Sequence, residues 1–242
     1  MKKEMTTFAA MSLMRYYRKG TVRKINKWLG KQPTDPYMKF KEIEFFSELL
    51  TNLQPVRCLE YGSGISTPFF LKLLPDNAQW HSVENLPKWY DIVKAQLTSD
   101  RIHLHLVDAK EDPNQEAATD VYANFAEQLE GKFDFILVDG INRENCIDVA
   151  DKYLAKNGLL VVHDANRVQY HSHIKQFKNW KIIQDFRKTA GGFGLASNDL
   201  DLEKLVSWNE HSQAWKADTN ISNFFKFKFL IGGGKPFKLE HS

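Results

Sequence analysis

Val56-Arg57-Cys58-Leu59-Glu60-Tyr61-Gly62-Ser63-Gly64-Ile65-Ser66-Thr67-Pro68 reads as a short buried strand, a glycine turn and the opening of a helix. Two glycines one residue apart let the backbone turn sharply and approach a ligand, and the following helix aims its unpaired N–H groups at the same spot. Pro68 suits a first helical position, with Ser66 or Thr67 as the cap before it. The stretch is a candidate cradle for a nucleotide cofactor. A Gly-x-Gly turn also closes ordinary hairpins, so the surrounding chain has to decide between the two.

Downstream, short apolar runs alternate with helical patterns, which predicts a parallel sheet with helices on both faces. Strands are expected at Val56–Tyr61, Gln79–Glu84, Ile102–Asp108, Phe133–Asp139 and Gly158–Asp164. Helices are expected around Pro68–Leu74, Pro87–Leu97, Val121–Leu129 and Asn145–Leu154, after an amphipathic helix over Tyr37–Leu53. Lys181–Phe186 and Phe193–Ala196, joined by a turn with Gly191-Gly192, predict a closing hairpin.

In open α/β sheets, ligands bind beyond the carboxyl ends of the strands. Glu60, Glu84, Asp108, Asp139 and Asp164 fall at or near five successive predicted strand ends. Glu84, 20 residues after Gly64, has the spacing of a carboxylate that takes ribose hydroxyls in dinucleotide folds as well. A dinucleotide would set its pyrophosphate on the glycine turn, where Glu60 is a poor neighbour, and Thr67 stands where its fingerprint has a third glycine. An acid-lined pocket suits S-adenosylmethionine better, since that cofactor has no phosphate and presents a cationic amino group and sulfonium.

Glu60-Tyr61-Gly62-Ser63-Gly64 resembles the first motif of class I S-adenosylmethionine-dependent methyltransferases. Ser82-Val83-Glu84 looks like their ribose-binding strand end, and Val107-Asp108-Ala109 like their adenine-contacting one. Residues 133–140 and 159–164 are similar to their fourth and fifth strands, so the resemblance spans about residues 40–197. It implies a Rossmann-like, doubly wound, mostly parallel seven-stranded sheet ending in an antiparallel hairpin, with helices on both faces. It also implies that Glu60, Gly62, Ser63 and Gly64 hold the methionine part of the cofactor, Glu84 the ribose, and Asp108 with Ala109 the adenine.

Methyl transfer needs alignment and, for a hydroxyl nucleophile, a base or a metal. Asp139, Asp164 and His163 are the candidates for base or substrate orientation. Alternation along a regular strand would keep His163 and Asp164 from facing one pocket, which favours Asp164 and leaves His163 packed or hydrogen-bonded. Metal-dependent methyltransferases of the catechol type use an acid after the fourth strand and an Asp-Asn pair after the fifth. Here Ala165 follows Asp164 and Asn166 comes one position late, so the sequence leaves a divalent metal undecided. His171 and His173 read as surface histidines.

The expected activity is methyl transfer to oxygen of a small molecule or glycan. The alternatives are an NAD(P)-dependent oxidoreductase, disfavoured by Glu60 and Thr67, and a catalytically silent binding module. The 242 residues fit one α/β domain with extensions: a basic arm over 1–36, the cofactor-binding domain over 37–197 and a C-terminal extension over 198–242. A net charge of +3 gives no general nucleic-acid footprint. The arm, with Arg15, Arg18, Lys19, Arg23, Lys24 and Lys27 among apolar residues, reads equally as a solvated helix or as a peripheral contact to an anionic membrane surface. The two cysteines, Cys58 and Cys146, read as reduced thiols, and with no apolar run long enough to span a membrane the expected compartment is the cytoplasm. Gly232-Gly233-Gly234 is expected to release a free polar tail.

Overall fold

The computed structural model describes residue 36, residues 38–229 and residues 235–242. The basic arm and the triple glycine lie outside the described residues, as do the side chains of the Phe224–Phe229 run. In chain order the elements are α1 (Phe40–Leu53), β1 (Arg57–Tyr61), α2 (Ser66–Leu71), β2 (Gln79–Glu84), α3 (Pro87–Lys94), β3 (Ile102–Leu106) and β4 (Phe133–Val138). They continue with α4 (Arg143–Tyr153), β5 (Leu154–His163), α5 (Gln169–Ile174), β6 (Asn179–Gln184), β7 (Phe193–Ser197), α6 (Trp208–Phe229) and β8 (Lys238–His241).

The sheet order is β3-β2-β1-β4-β5-β7-β6-β8, parallel through β5 and antiparallel beyond it. This is the expected Rossmann-like α/β architecture with its closing hairpin, extended by one strand. β1 is central because it is buried on both faces: Cys58 joins one core layer, and Leu59 and Tyr61 the other. The first layer packs Phe45 and Phe46 of α1, Trp80, Phe135, Phe193 and Trp215 of α6. The second packs Tyr122, Phe125, Ile147 and Ile174 against Leu59, Ile136 and Val162. From β1 the chain winds outward to β3 and then crosses back to β4, so strand order reverses between β1 and β4. The Gly62 turn sits at that switch point, where ligands bind in such sheets.

Four local expectations are corrected. α2 begins at Ser66, two residues before Pro68, and neither Ser66 nor Thr67 caps it, because Thr67 Oγ1 donates to Glu60 instead. The helix expected over Val121–Leu129 is a 3-10 turn over Ala123–Gln128; Tyr122/Phe125 and Ala123/Ala126 repeat at three residues, the spacing that a 3-10 helix stacks. β3 ends at Leu106, which leaves Asp108 beyond it. The tail is not free: β8 pairs antiparallel with β6, Ile183 opposite Leu239, and Phe237 and Leu239 pack on the core. Among the described residues no helix is long and apolar enough to cross a membrane.

Candidate active site

Met38, Glu60, Gly62, Ser63, Gly64, Ile65, Ser66, Trp89, Asp139 and His163 line one cleft at the switch point. Its floor is backbone against backbone. Gly62, at φ +92°, donates to the Val83 carbonyl at 2.8 Å, and a Cβ there would lie 2.8 Å from the Gly140 nitrogen. Gly140 in turn has the Tyr122 hydroxyl and Gly62 in the space a side chain would fill, so neither loop tolerates anything larger. A second, polar cleft lined by Asn179, Lys181, Asp199, Asp201 and Glu203 lies at the opposite end of the sheet; its buried Lys181 is already paired with Glu203 at 2.6 Å.

Glu60 is 2% exposed, and three donors converge on its Oε2: Thr67 Oγ1 at 2.6 Å, Ser82 Oγ at 2.6 Å and Trp80 Nε1 at 3.0 Å. Burial pushes its carboxyl up to about 7; the three hydrogen bonds oppose this and the Asp139 charge adds to it. Glu84 accepts from the Ser63 amide at 3.1 Å and the Ser63 hydroxyl at 2.8 Å on Oε2, and from the amides of Asn85 and Leu86 on Oε1. The glycine turn and the β2 terminus are thus one hydrogen-bonded unit. Trp89 Nε1 ties α3 to it through the Ser63 carbonyl at 2.7 Å. Asp108 is exposed and outside the cleft, while the Ala109 carbonyl accepts from Asn85 Nδ2 at 3.3 Å, one strand further along.

Beyond β4 and β5, Asp139, His163 and Asp164 converge, with one potential ligand atom from each within 4.8 Å of the others. The alternation argument against this meeting fails because β5 ends at His163 and Asp164 turns into the left-handed region at φ +63°, a conformation Asp tolerates. His163 Nδ1 lies 3.1 Å from Asp139 Oδ1, and the buried Nε2 has no hydrogen-bond partner among the described residues. Burial works to lower the imidazole's pKa, but the Asp139 charge and hydrogen bond together outweigh it and raise the value to about 9. Asp139 is correspondingly held below the usual carboxylate range by His163 and Arg143 against its own burial. Asp164 Oδ1 accepts from the Gly191 amide at 2.5 Å, which fixes the β6–β7 hairpin. Asn166 faces that hairpin too: its Nδ2 donates to Asp185 Oδ1 at 2.9 Å and to the Arg187 and Ala190 carbonyls. His171 bonds the Ala165 carbonyl and His173 bonds Asp148, so neither is drawn into the cleft.

Sequence reasoning missed Arg143, Trp89 and Met38. Arg143 opens α4 three residues after Gly140, a spacing that could have flagged it; Trp89 and Met38 carry no signal beyond being apolar and following a turn.

The donor set fits S-adenosylmethionine: a glycine floor without room for a side chain, a buried acid at its edge and a second acid at the neighbouring strand end. It does not fit a divalent metal as arranged, because Arg143 already bridges Asp139 and Asp164 and Asn166 faces away. A family described as a methyltransferase domain matches residues 59–165. No curated protein matches the chain. Among solved structures, the O-methyltransferase from Bacillus cereus in complex with SAH aligns at TM-score 0.54 and 17% identity, over 73% of this chain and 88% of that one. Cofactor-bound Rv0187 from MTB aligns at TM-score 0.53 and 19% identity, over 70% and 84%. TomG, an O-methyltransferase from Streptomyces achromogenes involved in tomaymycin synthesis and solved with SAM, aligns at 0.51 and 15%, over 71% and 84%.

Proposed function

We propose that this chain, whose residues 59–165 match a methyltransferase domain within a Rossmann-like fold, is a class I S-adenosylmethionine-dependent methyltransferase that methylates a hydroxyl oxygen of a small molecule, with His163 as general base. One observation carries the proposal: His163 lines the cleft that also holds Glu60 and the glycine turn, its Nδ1 is backed by Asp139, and its buried Nε2 has no partner among the described residues. In this reading Glu60, Gly62, Ser63 and Gly64 hold the methionine part, Glu84 the ribose, and the segment of Asp108 and Ala109 the adenine. When bound, S-adenosylmethionine supplies an electrophilic methyl group on a sulfonium. His163 Nε2 takes the proton of the acceptor hydroxyl, Asp139 stabilises the imidazolium that results, and Asp164 keeps the hairpin wall in place. The solved O-methyltransferases that share the fold agree with an oxygen acceptor.

A base of pKa about 9 is nearly matched to a phenol, whose pKa is about 10, and poorly matched to a sugar hydroxyl. The test is transfer of labelled methyl to a panel of phenols and sugars. Turnover should rise about tenfold per pH unit below about 9 and then level off, as neutral imidazole accumulates. His163→Gln should lose roughly 100-fold or more in kcat at unaltered cofactor affinity. A variant as active as the wild type would remove His163 from the chemistry.

A further inference from the structure

Arg143 spends its guanidinium on two strand ends at once. Nε donates to the Gly140 carbonyl at 2.9 Å, Nη1 to the His163 carbonyl at 2.8 Å and Nη2 to the Asp139 carbonyl at 3.0 Å. The same nitrogens reach the acids: Nη2 lies 3.0 Å from Asp139 Oδ1 and Nη1 3.5 Å from Asp164 Oδ2. The side chain is only 11% exposed. We infer that Arg143 is the resident cation of this site, standing between Asp139 and Asp164 where a metal-dependent methyltransferase would carry a divalent ion, and that this enzyme holds no metal there. The inference takes only the site's location from the proposed function.

Three arguments support it. Arg143 already lies against both carboxylates, so a divalent ion between them would have to displace it or sit beside a fixed positive charge at close range. For Arg143 to make room, three backbone carbonyls would have to give up their donor, one of them at the end of β5 and two in the turn just after β4. A guanidinium fork also suits this arrangement better than a spherical ion, because its separate donors reach three carbonyls and two carboxylates at once and so fix the orientation of Asp139 behind His163. Arg143 is thus a positioning residue that acts through Asp139.

The experiment needs neither acceptor nor cofactor, so its failure is separable from failure of the transferase reading. Chelator-treated wild-type protein is titrated with MnCl2 by calorimetry and by thermal unfolding. A resident metal at 100 times its dissociation constant would raise the midpoint by roughly 5–10 °C; no saturable heat and no shift are expected. Arg143→Gln frees both acids and should gain a Mn2+-dependent rise that the added Asp139→Asn change abolishes. Should Arg143→Gln fail to fold, Arg143→Lys keeps the charge and should stay silent to Mn2+. With an acceptor in hand, Arg143→Lys should lose at least about tenfold in kcat while cofactor affinity stays within about threefold, a split that mere loss of structure would not give. Saturable Mn2+ uptake by the wild type that Asp139→Asn or Asp164→Asn removes would overturn the inference.

Discussion

Glu60 is enclosed by three donors on one oxygen, in a site so dry that burial still outweighs them and leaves the carboxyl titrating near neutrality, at about 7. An unfolded glutamate loses its proton near 4.5, so between that value and about 7 the folded state holds a proton that the unfolded state has released. This group therefore makes the cofactor-free protein less stable as pH rises through that window. A cationic amino group beside Glu60 would reverse the penalty. Cofactor affinity should weaken by about tenfold per pH unit below about 7, in the limit where only the carboxylate binds. Glu60→Gln retains an acceptor for Thr67, Trp80 and Ser82 without the charge. It should unfold at the same or a higher temperature than the wild type at pH 8, yet lose most of the midpoint rise that S-adenosylmethionine gives. An undiminished rise would mean that the first motif does not meet the cofactor's cation. The sequence made Glu60 legible because a carboxylate two residues before a glycine turn has few structural reasons to be there. It offered His163 as a candidate but argued against its meeting Asp164, because the turn at Asp164 to φ +63° breaks the alternation on which strand reasoning depends.

Among elements, α1, α6 and the turn after β6 are locked together by ion pairs that no local pattern announces. Lys41 Nζ lies 2.9 Å from Asp185 and 2.7 Å from Asp218; Arg187 pairs with Asp185 at 2.7 Å and with Glu42; Lys39 reaches Asp218 at 3.0 Å. Asp185 is fully buried and exchanges hydrogen bonds with Asn166, its amide donating to Asn166 Oδ1 and its Oδ1 accepting from Asn166 Nδ2, both at 2.9 Å. Although burial pulls the other way, Arg187 and Lys41 hold the Asp185 carboxyl well below the usual carboxylate range. Its contribution is present in full above the unfolded value of about 3.8 and is lost as pH falls below it. Breaking a buried pair from one side leaves its partners uncompensated. Asp185→Asn should cost about 3 kcal/mol, a fall in midpoint of roughly 6–12 °C for a chain of this size, and an unchanged midpoint in thermal unfolding would refute it. Charges 144 residues apart in sequence, such as Lys41 and Asp185, meet only once the sheet order is fixed. The strands were readable from alternating apolar runs and turn residues, whereas this network and the Arg143 fork exist only in three dimensions.

Across the whole molecule, the sheet is asymmetric at its edges. β3 ends one side with His103, Leu104 and His105 only partly buried, while the other side would end at β6, whose Trp180, Ile182 and Ile183 would form an apolar edge were β8 not laid along it. An open edge of that kind pairs with other chains. The triple glycine and the charged residues of Lys238-Leu239-Glu240-His241 read as linker and tail, because four residues are too few to establish a strand period. The strand's role follows instead from its pairing with β6. The Lys235 amide donates to the Phe186 carbonyl at 3.3 Å and the Ser242 amide to the Trp180 carbonyl at 3.1 Å, so the segment is tied down at both ends of the pairing, and Lys175 Nζ pairs with Glu240 at 2.8 Å. Deleting residues 235–242 removes the partly buried Phe237 and Leu239 along with the ladder to β6. Burial alone puts the loss at about 2 kcal/mol, a midpoint lower by roughly 4–8 °C. The exposed edge should also drive self-association that grows with protein concentration in sedimentation velocity. The cleft at the carboxyl ends of β1 and β4 is separated from β6 by β5 and β7, so S-adenosylmethionine should bind the truncated protein with unchanged affinity. A truncated chain that sediments as the full-length chain does, with the same midpoint, would show that β8 is dispensable to the sheet it closes.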